Sequence, residues 1–482
     1  MKITRKNFLK LTGLTGAGML FGASHARNRN HFQKIPNQRF NMHGYAAPKL
    51  DTVRIGFIGI GGRGSGNVAR YASIEGVEVK ALCDVVPERV KSSVEFLKTA
   101  FPQHNPDSYT DGPDDWKKIC ERSDIDMICI GTPWHLHGRI AIHAMEHDKH
   151  VYVDIPVGVT VEECWQVVET SEKTRKHCFM SSMNCHGGLL AVLLNMVRQG
   201  FFGDLIHGEG HYIHDRVSDN DRWVRDPDNN YFFSCRPWRL QENANRNGNL
   251  YPQHGLGPLA QMMDLNYGDQ IDYMVSISSN DFTMAEKMRE IAEIDDYFKP
   301  YVGLKFRGNI NTSIIRTYRG RTLMLQHDIS SPRPQYRFNM ISGNKGIYSS
   351  GGRSRPDRIA TSHDNWLPQE EYDILIEKYT PKLTKVFREK IRQRTSRSIP
   401  GISYSEVYPE DWRFIDCLRN GIPVEMDVYD AALWSVITPL SEWSVAREGS
   451  SVKVPDFTCG AWRTNERGMD ILLKKGGNTN LL

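Results

Sequence analysis

The sequence predicts an α/β protein: an N-terminal doubly wound parallel sheet, then an α+β domain whose sheet is largely antiparallel. Three observations carry this. A short apolar strand runs straight into a glycine-rich turn at Gly59–Gly64, strand-like and helix-like segments then alternate as far as Met180, and beyond Gly188 the pattern changes to longer strands and loops. The 482 residues, 39% of them hydrophobic, suffice for two or three domains with substantial cores. With 61 basic and 57 acidic side chains the net charge is +4, too small over this length to indicate nucleic-acid binding or a strong membrane-surface partner. The densest basic stretch, Lys378 to Arg397, has no aromatic ladder and reads as a solvated helix face. The nine cysteines are scattered with no Cys-x-x-Cys pair, which argues against a disulfide framework or a zinc site; Cys83 and Cys129 fall in apolar runs and read as core.

Residues 1–30 read as an export signal. Thr4-Arg5-Lys6-Asn7-Phe8-Leu9-Lys10 resembles a twin-arginine motif with Lys6 in place of the second arginine, and the apolar run Leu11 to Ala23 leads to a small-residue cleavage site at Ser24-His25-Ala26. That run is too short and glycine-rich to span a bilayer permanently, so the expectation is a folded protein exported to the periplasm without stable membrane insertion. Residues 31–50, polar and carrying Pro36, Gly44 and Pro48, read as a linker, which places the first domain at 51–182 and the second at 183–482.

The first strand, Val53 to Ile60, continues into Gly61-Gly62-Arg63-Gly64. Gly59, Gly61 and Gly64 satisfy G-x-G-x-x-G, in which the glycines serve a tight turn, close approach of backbone to a pyrophosphate, and close packing of helix on strand. The helix that follows aims its amide groups at the phosphates. A second strand, Val77 to Cys83, ends at Asp84, about 25 residues after Gly59 and near the roughly 20 expected for the acid that holds the adenosine ribose. An anion there repels a 2′-phosphate, so NAD is expected rather than NADP. Further strands are expected at Ile125–Gly131, His150–Asp154 and Cys178–Met180, with helices at Gly138–His147 and Glu162–Thr174. This is the Rossmann alternation. Because ligands lie beyond the carboxyl ends of such strands, Trp134, His137, Asp154 and Ile155 are expected to face the site.

In the second half a helix is expected at Leu189–Gly200, and a hairpin joins Ile314–Tyr318 to Thr322–Gln326 through Arg319-Gly320-Arg321. Tyr251-Pro252-Gln253-His254 precedes a helical run through Met262, and a histidine at a helix entrance beside a tyrosine suits acid/base chemistry, with capping or packing as the alternative. Trp238-Arg239 offers a stacking surface and a cation to a sugar, or a surface ion-pair partner. Along a strand His207 and His211 share a face while His214 points away, so no set of three ligands emerges and no metal is expected. Glu162 and Glu163 open a helix, where they favour its dipole, and do not read as a glycosidase acid pair.

With these segments in place, the chain resembles the family of glucose-fructose oxidoreductase and inositol dehydrogenase relatives and, more closely, the NAD-dependent glycosidases of glycoside hydrolase family 109. The likeness runs from about Val53 to Trp462 and rests on Val53–Gly64, Val161–Trp165, Leu194–Arg198, Asn245–Pro258, Asp427–Glu442 and Val454–Thr458. Of these, Asn245–Pro258 is the most specific. The resemblance implies that retained NAD⁺ takes hydride from C3 of a sugar, the ketone acidifies the C2 proton, and a base removes it. The aglycone then leaves C1 by β-elimination, water adds, and NADH returns the hydride. The family's substrate class includes α-linked N-acetylgalactosamine. The resemblance further implies cofactor contacts at Gly62, Arg63, Asp84, Trp134, His135, Leu136, His137, Asp154 and Ile155. Substrate contacts are implied at Tyr212, Arg239, Tyr251, Pro252, Gln253 and His254. His254 also lies near the nicotinamide and is the expected acceptor of the C3 hydroxyl proton, with Tyr251 as its catalytic partner. A homo-oligomer is implied as well.

Several positions depart from the family pattern. Asp154-Ile155-Pro156 stands where the wider dehydrogenase family has Glu-Lys-Pro, and the glycosidases tend to carry Glu at Asp154 and Tyr at His186. Their pocket Tyr after Arg-Pro corresponds to Gln335, with Tyr336 one residue later, and Tyr404 to Glu410 replaces a glycine- and histidine-rich loop. The competing expectations are an NAD(P)-dependent sugar oxidoreductase and a non-catalytic carbohydrate-binding protein.

Overall fold

The predicted alternation builds a parallel sheet. In the computed structural model, which describes residues 38–181, 185–218, 223, 237–352, 355–395 and 408–482, the first half runs β1 (Val53–Ile58), α1 (Gly64–Ala72), β2 (Val77–Cys83), α2 (Pro87–Ala100), β3 (Asp107–Tyr109), α3 (Asp115–Cys120), β4 (Met127–Ile130), α4 (Trp134–Glu146), β5 (His150–Val153), α5 (Val161–Thr174) and β6 (Cys178–Met180). The strand order is β3-β2-β1-β4-β5-β6, every pair parallel. Helices on both faces explain why β4 and β5 are apolar throughout and buried at every position. The order reverses between β1 and β4, and there the carboxyl ends of the strands leave a crevice. Gly59 closes β1 at φ +82°, and a Cβ on it would meet the Thr132 nitrogen at 2.7 Å. The helix α5 opens as its sequence indicates: Thr160 accepts from the Glu163 amide, and Glu163 returns the bond to the Thr160 amide.

Two expectations are corrected. Trp134–His137 was expected as loop but forms the first turn of α4, because Pro133 (φ −58°, ψ 149°) ends the extended chain directly before it. Trp134 and His137, three residues apart, then share a helix face. The second correction concerns the linker at 31–50: its described part packs on the body. Met42 is buried and its amide donates to the Tyr429 hydroxyl, the Arg39 amide donates to Glu172, and His43 pairs with Asp427 at 2.9 Å. The export signal expected at 1–30 lies outside the described residues. Among those described, no helix is long and apolar enough to cross a membrane.

The second half adds α6 (Gly188–Arg198), β7 (Leu205–Ile213), α7 (Pro237–Asn245), α8 (Gln253–Met262), β8 (Ile271–Ser278), α9 (Met284–Ala292), β9 (Ile310–Thr317), β10 (Thr322–Asp328), β11 (Tyr336–Gly343), β12 (Ile347–Ser349), β13 (Arg358–Ala360), α10 (Gln369–Tyr379), α11 (Lys382–Thr395), α12 (Pro409–Asn420), α13 (Val428–Val445) and β14 (Val452–Lys453). The second sheet is ordered β13-β12-β11-β7-β10-β9-β8-β14 and is antiparallel except for the β7–β10 pair. The predicted hairpin is the β9–β10 pair, turning at Gly320 with φ +84°.

One helix joins the two halves. Helix α13 is apolar on nearly all sides and buried along most of its length, as an interior helix must be. Asp427 caps it by accepting from the Tyr429 and Asp430 amides, and Ser435 accepts from the Val157 amide in the first half. Helix α8 meets strand β7 backbone to backbone at one crossing. A Cβ on Gly255 would lie 2.3 Å from the Gly210 carbonyl carbon, and one on Gly210 would lie 2.5 Å from the Gly255 oxygen.

Gly255→Ala is therefore expected to force helix and strand apart and destabilise the protein by about 1–3 kcal/mol. Thermal unfolding monitored by circular dichroism checks this, and an unchanged melting temperature would refute the contact.

Candidate functional site

Two cavities meet at the carboxyl ends of β1 and β4. The first, about 310 Å³, is lined by Gly59, Gly61, Asp84, Trp116 and Leu136 among others. Its floor is the turn after β1. The Ile60 amide donates to Asp84 Oδ2 at 2.8 Å, while Asp84 Oδ1 accepts from the Val86 amide at 2.9 Å and from Arg89 at 3.2 Å. The carboxylate predicted to hold a ribose is thus fixed against the glycine turn. Gly64, lining neither cavity, takes the third glycine role: a Cβ there would fall 1.9 Å from the Gly59 oxygen. This cavity fits the adenosine half of a dinucleotide, with the start of α1 behind the turn for the phosphates.

The second cavity, about 340 Å³, shares Gly131, Thr132 and Trp238 with the first and lies toward the second sheet. Gly62, Arg63, Trp134, His137, Asp154 and Ile155 line it from the first half, and Tyr212, Arg239, Tyr251 and His254 from the second. Aromatic stacking organises it. The His254 ring lies on Tyr212 (5.1 Å between centroids, 15° between planes) and against Tyr251 (5.3 Å, 29°). Tyr251 in turn meets Trp134 at 5.5 Å, and the Arg239 guanidinium lies 4.7 Å from Trp134 and 4.6 Å from Trp238.

The electrostatics suit proton transfer. Burial holds His254 well below the usual histidine range, and the charges of Arg337 and Arg63 push the same way. Both influences favour the uncharged imidazole. Burial pushes the Tyr212 hydroxyl up, aided by Tyr251 beside it. Asp154 at the end of β5 lies 3.7 Å from Arg63, and its buried Oδ1 has no hydrogen-bond partner. His137 braces the site: its Nδ1 lies 2.7 Å from the Pro156 oxygen and its Nε2 2.8 Å from the Thr132 oxygen, spanning the turns after β5 and β4.

Some expected residues stand elsewhere. His135 is exposed, and Pro252 and Gln253 are buried; none of the three lines either cavity. The Gln253 amide is buried with no hydrogen-bond partner. Neither Gln335 nor Tyr336 lines the pocket: Tyr336 donates to the Ser350 oxygen at 2.5 Å, and Arg337 supplies the β11 wall. His186 is buried against Glu425, 2.6 Å away. Burial works against the Glu425 carboxylate, but Arg413 and His186 outweigh it and hold it at about 2. Arg216 and Arg337 were missed by sequence reasoning, because nothing in their spacing marks them; Arg337 lies on β11 and Arg216 just past β7, and both face the same cavity. Of the histidines weighed as metal ligands, His207 meets Thr322 Oγ1 at 2.8 Å and His214 meets Arg216 at 3.0 Å.

Two family models match this chain. Residues 188–464 match the family model described as glycosyl hydrolase 109, C-terminal domain, and residues 53–182 match the oxidoreductase family with an NAD-binding Rossmann fold. A glycosyl hydrolase family 109 protein of Shewanella pealeana is 39% identical over 472 residues, 97% of this chain and 98% of the relative. A protein of the same description from Shewanella putrefaciens is 39% identical over 466 residues, covering 95% and 97%. Among solved structures, an NAD binding oxidoreductase from Klebsiella pneumoniae aligns with TM-score 0.59 at 13% identity, over 84% of this chain and 99% of that one. Levoglucosan dehydrogenase in complex with NADH and levoglucosan aligns with TM-score 0.57 at 17% identity, over 84% and 100%. At these identities the structural likeness speaks to fold.

Two outcomes test the site. Asp84→Ala is expected to weaken NAD binding about 10–100-fold, the worth of a charge-assisted hydrogen bond, as measured by calorimetry. Arg337→Met removes a neighbouring cation and is expected to raise the His254 titration midpoint, followed by NMR of histidine-labelled protein and assigned with His254→Gln. A midpoint that stays put or falls would contradict the assigned cause.

Proposed function

Since the chain belongs to glycosyl hydrolase family 109, we propose that it is an NAD-dependent glycosidase of the α-N-acetylgalactosaminidase type, working by transient oxidation at sugar C3, elimination, addition of water and re-reduction. The observation that carries this reading is the cluster of His254, Tyr212 and Tyr251, whose rings lie within 5.3 Å of one another in one cavity with Asp154 and the Gly62–Arg63 turn. When bound, NAD supplies the hydride acceptor and donor for C3. Gly59, Gly61 and Asp84 hold its adenosine half, and Gly62, Arg63, Gly131 and Thr132 lead toward the sugar.

His254 takes the C3 hydroxyl proton on oxidation and gives it back on re-reduction. Burial, with Arg337 and Arg63 nearby, favours the uncharged imidazole, the form in which a base takes a proton. This makes the lysine of the wider dehydrogenase family dispensable where Ile155 stands. Tyr251, stacked on His254, orients the imidazole and offers its hydroxyl to the sugar. Asp154, with its unpartnered oxygen, accepts a sugar hydroxyl while Arg63 balances its charge. Trp134 and Trp238 present ring faces to the apolar side of the sugar and exclude water.

The proposal extends to location and assembly. The segment Thr4–Ala26 supports export of the folded, cofactor-loaded enzyme to the periplasm. Ile277 and Ile314, exposed on one face of the β8–β9 pair, support self-association there.

The test is NMR in D₂O with p-nitrophenyl N-acetyl-α-galactosaminide and a panel of other glycosides. Released sugar carrying deuterium at C2, with no net NADH, is the expected result. Net NADH without aglycone release would replace this reading with a sugar oxidoreductase. Binding with neither turnover nor exchange would replace it with a carbohydrate-binding protein.

A further inference from the structure

A second cluster of chemistry-bearing side chains lies where α3 and α4 end. Glu121 directly follows α3, His143 sits in the last turn of α4, and His147 caps that helix. The two histidines are four residues apart, so their rings share a face, with centroids 4.2 Å apart. One ligand atom from each of the three residues lies within 4.8 Å of the others.

The hydrogen bonding prepares these atoms. His147 Nδ1 is 2.8 Å from the His143 backbone oxygen. That oxygen only accepts, so the proton stays on Nδ1 and Nε2 keeps its lone pair; such a bond is the usual second partner of a metal-bound imidazole. His143 Nε2 is 3.2 Å from Glu121 Oε1. Two ligands on a tetrahedral ion with bonds near 2.0 Å stand about 3.3 Å apart, so this pair already has ligand spacing. The Trp116 ring, edge-on to His143 at 5.2 Å and 84°, fixes the plane of that imidazole. The side chains of His143 and Glu121 are 25% and 52% exposed, so an ion can enter without unfolding and water can fill its fourth position.

We propose that Glu121, His143 and His147 form a site for a divalent transition-metal ion, distinct from the crevice and not used in the reaction. Two imidazoles and one carboxylate select zinc, nickel or copper over magnesium or calcium, which prefer oxygen ligands throughout. The ion would tie the end of α3 to the end of α4. Trp116 on α3 and Ile140 on α4 both line the adenosine-side cavity, so the bound ion braces that wall from outside.

The experiment is calorimetric titration of metal-free, untagged full-length protein with Zn²⁺, with Co²⁺ absorption for coordination and Mg²⁺ as the control. The wild type is expected to bind one more equivalent of Zn²⁺ than the His143→Ala/His147→Ala double variant, and Zn²⁺ should raise the melting temperature of the wild type alone. Glu121→Gln should weaken binding without abolishing it. Equal stoichiometry and equal thermal response in wild type and double variant would overturn the proposal. Unchanged circular dichroism and NAD affinity without metal show that the variants fold. If the double variant does not fold, His147→Ala alone carries the same comparison.

Discussion

The contact between Gly210 on β7 and Gly255 on α8 sets the geometry of the site. With no side chain on either residue, helix and strand meet backbone to backbone, nearer than any Cβ would permit. That approach brings His254, one residue before Gly255, onto the ring of Tyr212, two residues after Gly210. The base and one of the rings that hold it are therefore placed by a single close crossing. Tyr251 enters just before α8 and packs against both rings, 4.7 Å from Tyr212 and 5.3 Å from His254.

The second requirement is that the two sheets stay in register across the crevice. Helix α13 meets it by lying inside the molecule, with apolar residues toward both halves and Ser435 bonded to the Val157 amide beyond β5. The strap over residues 38–50 reinforces this from outside through Tyr429, Glu172 and Asp427. A cavity shared between two sheets keeps its shape only if the sheets cannot slide. Burial of α13 makes sliding costly, because every displacement opens voids in a close-packed interior.

Electrostatic choice follows from this architecture. In a buried, arginine-lined site the uncharged form of a histidine is favoured, while a carboxylate finds a cation to face, so His254 and Asp154 take complementary parts. His186 shows how the same residue type is diverted elsewhere. Paired with Glu425 beside Arg413, it belongs to a buried ionic network of the second half. Nothing in its neighbours along the chain signals that pairing.

The sequence alone determined the fold class, the NAD-binding half and the family, because these rest on local patterns. A glycine fingerprint, an acid at the end of the next strand and short apolar runs alternating with helical segments are fixed by backbone sterics and strand geometry within a few residues. It also pointed to His254, Tyr251, Tyr212 and Arg239, which do share one cavity. It was less reliable where one residue decides a side-chain direction. Trp134 to His137 became helix, and the first stretch treated as a linker proved partly to be a strap. Only the tertiary structure decided which arginines face the base and which rings pack on it. It also decided which glycines are close-packed. Each of these depends on the distance between segments far apart in the chain, and no local periodicity encodes such a distance.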